Sequence, residues 1–433
     1  MSTEPAADAA KTRQVFTYFT AVTLFVYVVL PNGYFVDFAT AFMLKDRLHA
    51  SAEQVSMFRL LTAIPVYLSF VFGLTRDLWS PLNLRDRGFF RIFAPLTALF
   101  FFWLAFTQLT YWGLFTGLLL AMFSFRFVSA ALWGLTALTG QEQLMSGRLS
   151  ALWNIVGSVP YIIGALASGW VAEYLPPRTT FILCGVLALV IGALSLWKPR
   201  AVFDHAYDKP QARGTDLIGD IKRLFKHRAV YPAVLMIFMF QFAPGSNTPL
   251  QYYLTNQLHA SDAVYGYYFA IFTVSFIPMF FIYGWLCKRV PLRKLLIWGI
   301  VITTPQMIPL AMINSALAAM WLALPIGLMG GIAAGAIYDL GMRSCPPGLQ
   351  GTLMMLIEGA NQLSTRGSDV LGSWIYGSSP THGFLYCVLA TTAVYGAMLL
   401  LIPLIPKALI ATADGEANPV VEAETLQEIA QTA

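Results

Sequence analysis

Charge is what this chain has least of. Asp, Glu, Lys and Arg make up 11% of its 433 residues while apolar residues make up 57%, and a soluble domain carries about 25% charged residues. So little charge cannot cover a soluble globule, and most of the surface must therefore face lipid. Cysteine is nearly as scarce. Cys184, Cys287, Cys345 and Cys387 are scattered without a C-x-x-C pair or a histidine partner at metal-ligand spacing, so neither a disulfide framework nor a metal site is suggested and they read as apolar packing residues. The five histidines, His49, His205, His227, His259 and His382, all fall outside the depths of the apolar runs, which argues against a histidine proton relay. No H-E-x-x-H, G-x-S-x-G or Walker motif is present, so no catalytic residue and no cofactor is expected.

What is abundant is apolar sequence of membrane-spanning length. Runs long enough to cross about 30 Å of hydrocarbon as a helix can be placed at 15–43, 52–75, 89–109, 112–138, 149–173, 179–198, 230–255, 263–287, 292–313, 318–341, 349–376 and 383–406. This predicts an all-α integral membrane protein with twelve transmembrane helices. Pro31, Pro65, Pro160, Pro244, Pro278 and Pro305 lie inside the runs, as membrane helices tolerate. Glu4 and Asp8 occupy the place of a basic signal-peptide head, so the first run is expected to stay as helix 1.

With both termini placed in the cytoplasm, all but six of the 27 Lys and Arg residues fall on the cytoplasmic side. Lys45, Arg47 and Arg178 lie opposite, and Arg59, Arg126 and Arg366 lie within spans. This imbalance satisfies the positive-inside rule. It also accounts for the net charge of +5 without a nucleic-acid partner. The expected location is a cell membrane, either a bacterial inner membrane or a plasma membrane.

The chain repeats itself. Leu48-His49-Ala50-Ser51 returns 210 residues later as Leu258-His259-Ala260-Ser261, and Gly147, Leu149 and Trp170 return 204 residues later as Gly351, Leu353 and Trp374. Two pseudo-symmetric six-helix bundles are therefore predicted at 1–198 and 229–406, with substrate held between them near the bilayer midplane. The segment 199–228 is expected to be a basic cytoplasmic linker. Asp216 can cap an amphipathic helix there, whose Leu217, Ile218, Ile221, Leu224 and Phe225 oppose the basic residues, a pattern suited either to the anionic inner leaflet or to plain solvation. The Glu-rich segment 407–433 reads as a mobile cytoplasmic tail.

Charges within spans carry the functional reading. Glu358, Gln362, Arg366 and Asp369 are spaced 4, 4 and 3 on span 11, which puts them on one helix face. A charge at the bilayer centre costs about 2.5–3.5 kcal/mol even on lenient scales, so that face must turn to protein or a water-filled cavity. The equivalent positions of span 5 are Asn154, Ser158, Ile162 and Ala165, so only the C-terminal half carries this charge. The stripe serves either function, with Gln362 and Arg366 binding substrate and Glu358 and Asp369 carrying protons, or structure, as an Arg366–Asp369 pair.

Arg126 lies close to the middle of span 4, where its guanidinium fork could meet a substrate carboxylate; it could equally pair with Glu358. Asp37 and Arg59 could pair as an outer gate, and Asp37 is a second candidate proton carrier. Asp339 and Arg343, at the cytoplasmic end of span 10, read as gating residues. Span 7 gathers Asn247, Gln251 and Tyr252 beside Pro244, Gly245 and Pro249, the makings of a broken helix with a polar binding surface.

Gly73-Leu74-Thr75-Arg76-Asp77, followed by Arg85, Arg87 and Arg91, resembles a degenerate form of the loop signature of the major facilitator superfamily, and the likeness adds Asp77 to the gating set. Phe42-Met43-Leu44-Lys45-Asp46, Lys288-Arg289-Val290-Pro291-Leu292-Arg293-Lys294, and Cys345-Pro346-Pro347-Gly348-Leu349-Gln350-Gly351-Thr352-Leu353 are similar to its folate/biopterin transporter branch. The charged stripe of span 11 departs from that branch. The resemblance implies the major facilitator fold and a monomeric secondary transporter working by alternating access. The implied substrate is folate- or pterin-like, a small anionic organic solute is expected, and H+ is the expected coupling ion, with sodium coupling and simple exchange left open. The alternatives are a carrier of another organic anion or a sugar-like solute, a receptor or assembly factor without flux, and an intramembrane enzyme.

Overall fold

The computed structural model describes residues 4–31, 33, 36–37, 40, 43–50, 52–108, 110–174, 176–203, 217–260, 262–313 and 315–416. Every regular element among them is helical. Helix α1 runs Glu4–Val29. It breaks after Val29 because Pro31 disfavours helical geometry in the residue before it, and within the expected run to residue 43 Val36, Asp37 and Thr40 are again helical. Helix α2 comes in three pieces, Ala52–Thr62, Ile64–Tyr67 and Ser69–Leu78. Pro65 lacks the N–H that would continue the ladder across the first break. Helices α3 (Asp86–Phe106), α4 (Tyr111–Glu142), α5 (Ser146–Tyr174) and α6 (Pro177–Leu194) complete the first six.

A linker helix, Leu217–Lys226, leads to the second six. Its Ile218 and Phe225 are exposed while Leu224 is buried; Asp216, the expected cap, lies outside the described residues. Helix α7 is broken into Val230–Gln241 and Thr248–Tyr252, then come α8 (Asp262–Leu286), α9 (Leu292–Thr303), α10 (Ala316–Arg343), α11 (Gln350–Gly377) and α12 (Gly383–Ala397). Among the described residues seven helices are each long and apolar enough to cross a membrane, in α1, α3, α4, α8, α9, α10 and α12. The breaks in α2 and α7 keep their pieces short of that length. Large apolar side chains such as Trp112, Trp298, Trp321 and Trp374 are mostly exposed, as lipid-facing positions require.

The sequence repeat is also a structural one. Met43–Arg47 and Tyr253–Gln257 both widen into a π-turn. In each the Leu after the turn, Leu48 or Leu258, donates five residues back, and His49 and His259 both take a left-handed φ, 48° and 53°. The Leu-His-Ala run is a chain reversal used twice.

The chain forms two compact units, one of Met1–Glu142, Val159–Asp220 and Pro347–Gly359, the other of Gln143–Ser158, Ile221–Pro346 and Ala360–Ala433. The first turns of α11 therefore belong with the N-terminal helices, and those of α5 with the C-terminal ones. In the first unit α11 approaches α2 so closely that a Cβ on Gly73 would stand 2.3 Å from the Gly351 carbonyl oxygen. Only glycine admits two helix backbones at that distance. Of the expected tail, Lys407–Ile410 forms a helical turn and Ile410, Ala413 and Asp414 are buried; residues 417–433 lie outside the described set.

Candidate functional site

Helix α4 is buried along nearly its whole inner length, from Leu114 to Gly140, and at its centre stands Arg126, only 2% exposed. A guanidinium in so apolar a place needs compensation. Three groups within electrostatic reach supply it in part: Glu358 of α11, Tyr161 of α5 and Tyr27 of α1. Tyr27 and Tyr161 face each other edge to face at 6.1 Å between ring centres. The Nε of Arg126 still has no hydrogen-bond partner among the described residues. A buried cation with a free N–H can receive an anion, and aromatic side chains within its electrostatic reach can meet a flat apolar group.

Glu358 is half-buried and lies in the same compact unit as Arg126. The other members of its stripe go elsewhere, because Gln362, Arg366 and Asp369 belong to the second unit. Arg366 is exposed, and Asp369 turns to another partner. Asp369 instead accepts from the backbone N–H (2.9 Å) and hydroxyl (3.0 Å) of Thr248. It thereby satisfies the orphan donor at the start of the short helix Thr248–Tyr252, whose own cap residue Asn247 makes no side-chain bond. Gly245 donates to the Thr391 hydroxyl at 3.1 Å, which ties down the break itself. Gln251 is half-buried and Tyr252 is 51% exposed. Two further polar contacts line this unit: Asn361 donates to the Tyr338 hydroxyl and Ser364 to the Phe238 carbonyl.

The gating candidates are placed as follows. Arg59 grips Asp37 with both forks, at 3.2 and 2.8 Å, and both side chains are over 40% exposed. A pair that open is worth about 0–1 kcal/mol and can part cheaply. Asp77 has a fully buried carboxylate that accepts from the backbone N–H of Gly351 (3.1 Å) and from the N–H and hydroxyl of Thr352 (both 2.7 Å). It meets the positive N-terminus of α11, where an anion is favoured. Arg76 steadies it at 2.8 Å and holds Asp86 with its other two nitrogens, at 2.6 and 2.8 Å. Asp339 pairs with Arg343 one turn on, at 2.8 Å, and accepts from the Tyr283 hydroxyl at 2.8 Å.

Sequence reasoning missed Tyr27, Tyr161, Asp86 and Asp414. The two tyrosines carried no signal beyond lying in spans. Asp86 had a signal in the chain, since a carboxylate opening a helix is a helix-start signal.

Three comparisons bear on this arrangement. Residues 23–365 match the sequence profile of the Major Facilitator Superfamily. A folate-biopterin transporter of Synechocystis sp. is 26% identical over 359 residues, covering 78% of this chain and 71% of that protein. The crystal structure of the human organic anion transporter MFSD10 (TETRAN) superposes with a TM-score of 0.61 at 13% identity, covering 91% of this chain and 99% of the other; at that identity the likeness is one of fold.

Proposed function

The chain belongs to the Major Facilitator Superfamily, and from that premise we propose that it is a secondary active transporter moving an anionic organic solute of the folate or pterin class by alternating access. Membership makes it a multi-pass membrane protein that carries a small organic molecule, not an enzyme. The observation that carries the finer reading is Arg126, buried at the centre of α4 with an unused N–H and two tyrosines within electrostatic reach.

In this reading the substrate carboxylate takes the Arg126 guanidinium while its ring system lies against Tyr27 and Tyr161. Glu358 is a carboxylate within electrostatic reach of that guanidinium. When substrate anion arrives, Glu358 and the carboxylate compete for one cation, and two anions beside a single guanidinium favour protonation of one of them. Glu358 thus couples a proton to each substrate, inward movement of the two being driven by the proton gradient. The relative named above supports the substrate class. Both termini lie in the cytoplasm and the working form is a monomer.

The test is uptake into proteoliposomes holding the purified full-length protein, with labelled folate and pterin and a competing panel of other organic anions and sugars. Uptake of labelled folate or pterin that an imposed inward proton gradient drives above equilibrium supports the proposal. Uptake only of another class would keep the transporter and discard the substrate. Binding without flux would make the chain a receptor.

A further inference from the structure

The two ends of the repeat clamp their partner helices with a carboxylate, but the two carboxylates come from different places. In the first unit Asp77, at the end of α2, accepts from the N-terminal N–H groups of α11 at Gly351 and Thr352. The repeat maps Gly351 onto Gly147, in the first turn of α5, and maps Asp77 onto Cys287, just past the end of α8. Cys287 occupies the corresponding place in the second unit, since a Cβ on Gly147 would stand 2.9 Å from the Cys287 Cβ and equally close to Asp339 Oδ2, a carboxylate already taken by Arg343 and Tyr283. A thiol, however, cannot play the part of a carboxylate. It is a weak acceptor, and it leaves both the helix N-terminus and Arg148 without an anion.

Asp414 supplies that anion from the C-terminal segment. Its carboxylate is 1% exposed and accepts from the Gly147 N–H at 3.0 Å and from Arg148 Nε at 2.8 Å. Its Oδ2 lies 4.0 Å from the Cys287 sulfur, and its own N–H donates to the Cys287 carbonyl at 2.8 Å. The segment before it is fastened by its backbone: Thr412 accepts from the Leu292 N–H at 3.4 Å and from Arg343 Nη1 at 3.1 Å. Arg343 also reaches the Asp414 carboxylate at 3.9 Å while pairing with Asp339 at 2.8 Å. Three cation or dipole partners and a backbone staple converge on one residue that lies beyond the last membrane helix.

We propose that the segment after α12 is a latch, with Asp414 as a positioning residue that holds the first turn of α5 against the ends of α8 and α10 in place of the loop carboxylate that the second half of the repeat has lost. The proposal rests on the alternating-access reading for its meaning in transport. Opening at this end then requires the segment after α12 to let go. Loss of the Asp414 carboxylate leaves Arg148 with the Leu144 carbonyl alone, at 3.2 Å, removes the anion from the α5 N-terminus, and frees the helix ends to separate.

The test does not need a substrate. In full-length protein with Cys184, Cys345 and Cys387 changed to Ala, Cys287 is the sole thiol, and it is buried. Its labelling by N-ethylmaleimide is followed in detergent well below the unfolding midpoint. Asp414→Asn is expected to speed labelling about tenfold or more, the loss of one charge-assisted hydrogen bond. Arg148→Gln, which removes the partner and leaves the segment intact, should do the same, and Asp414→Glu should stay near the parent rate. A rate unchanged in folded Asp414→Asn and Arg148→Gln overturns the latch. In a second arm Cys287→Asp is placed in the Asp414→Asn background. Recovery of the unfolding midpoint supports the exchange of carboxylate between loop and terminus, and a further fall refutes it. If labelling accelerates as expected while uptake fails for every folate and pterin, the latch stands and the substrate assignment falls.

Discussion

At the scale of single residues, Arg126 and Glu358 make separable predictions. A lysine at position 126 keeps the charge but loses the planar fork that matches a carboxylate. Arg126→Lys is therefore expected to weaken competition by carboxylated substrates about tenfold, roughly the worth of one charge-assisted hydrogen bond, and to leave analogues lacking the carboxylate little changed. Equal weakening of both would mean that Arg126 supports the helix packing and does not touch substrate. Glu358→Gln removes the titrating group at nearly constant shape. It should abolish accumulation against a gradient while leaving counterflow exchange, and loss of both in a folded protein would refute the proton-carrying role. Position 126 was legible in the sequence because a lone arginine amid apolar residues is costly and therefore needs a reason. Tyr27 and Tyr161 were not, because an aromatic residue in a membrane helix is ordinary wherever it points and only the three-dimensional packing of α1, α4 and α5 brings the two to the guanidinium.

At the scale of elements, the broken helix α7 shows how chain signals and tertiary contacts divide the work. Pro244, Gly245 and Pro249 announced the break, since two missing N–H donors and a glycine in six residues cannot sustain a ladder. They did not announce its cap, because the residue that satisfies Thr248 is Asp369, 121 positions away on α11. The stripe reading grouped Asp369 with Glu358 by helical spacing alone, and spacing is blind to how far along a helix its neighbours change. We expect Asp369→Asn to remove one of two acceptors from the short helix. The cost is about 1 kcal/mol and a fall of about 2–4 °C in the unfolding midpoint, with proton-driven accumulation retained. Loss of accumulation at an unchanged midpoint would return Asp369 to the proton path. The three-part α2 was half legible in the same way: Pro65 marks the first break, whereas the second, at Leu68, follows no proline or glycine and has no signal in the chain.

At the scale of the whole molecule, the sequence repeat and the compact units disagree over two short segments, and the disagreement bears on how the protein moves. The repeat assigns 143–158 to the N-terminal half and 347–359 to the C-terminal half, yet each is packed within the unit built mainly from the other half. The 204-residue offset maps one segment almost onto the other, so the exchange is itself symmetric. If the moving bodies of the transport cycle are the halves of the repeat, the first turns of α11 must leave α2 and α4 in every cycle, and Asp77 must release Gly351 and Thr352. If the moving bodies are the compact units, those contacts persist throughout. A side-chain hydrogen bond between Gln141 and Gln350, 3.0 Å long and wholly within the first unit, offers a place to decide. With both changed to Cys in a background where the native thiols are Ala, a short bis-methanethiosulfonate reagent should join them. Because helices that cross by close glycine contact part as rigid elements, we expect the cross-link to arrest uptake and reduction to restore it. Undiminished uptake in the cross-linked protein would make the compact units the moving bodies and leave Asp77 a fixed structural cap.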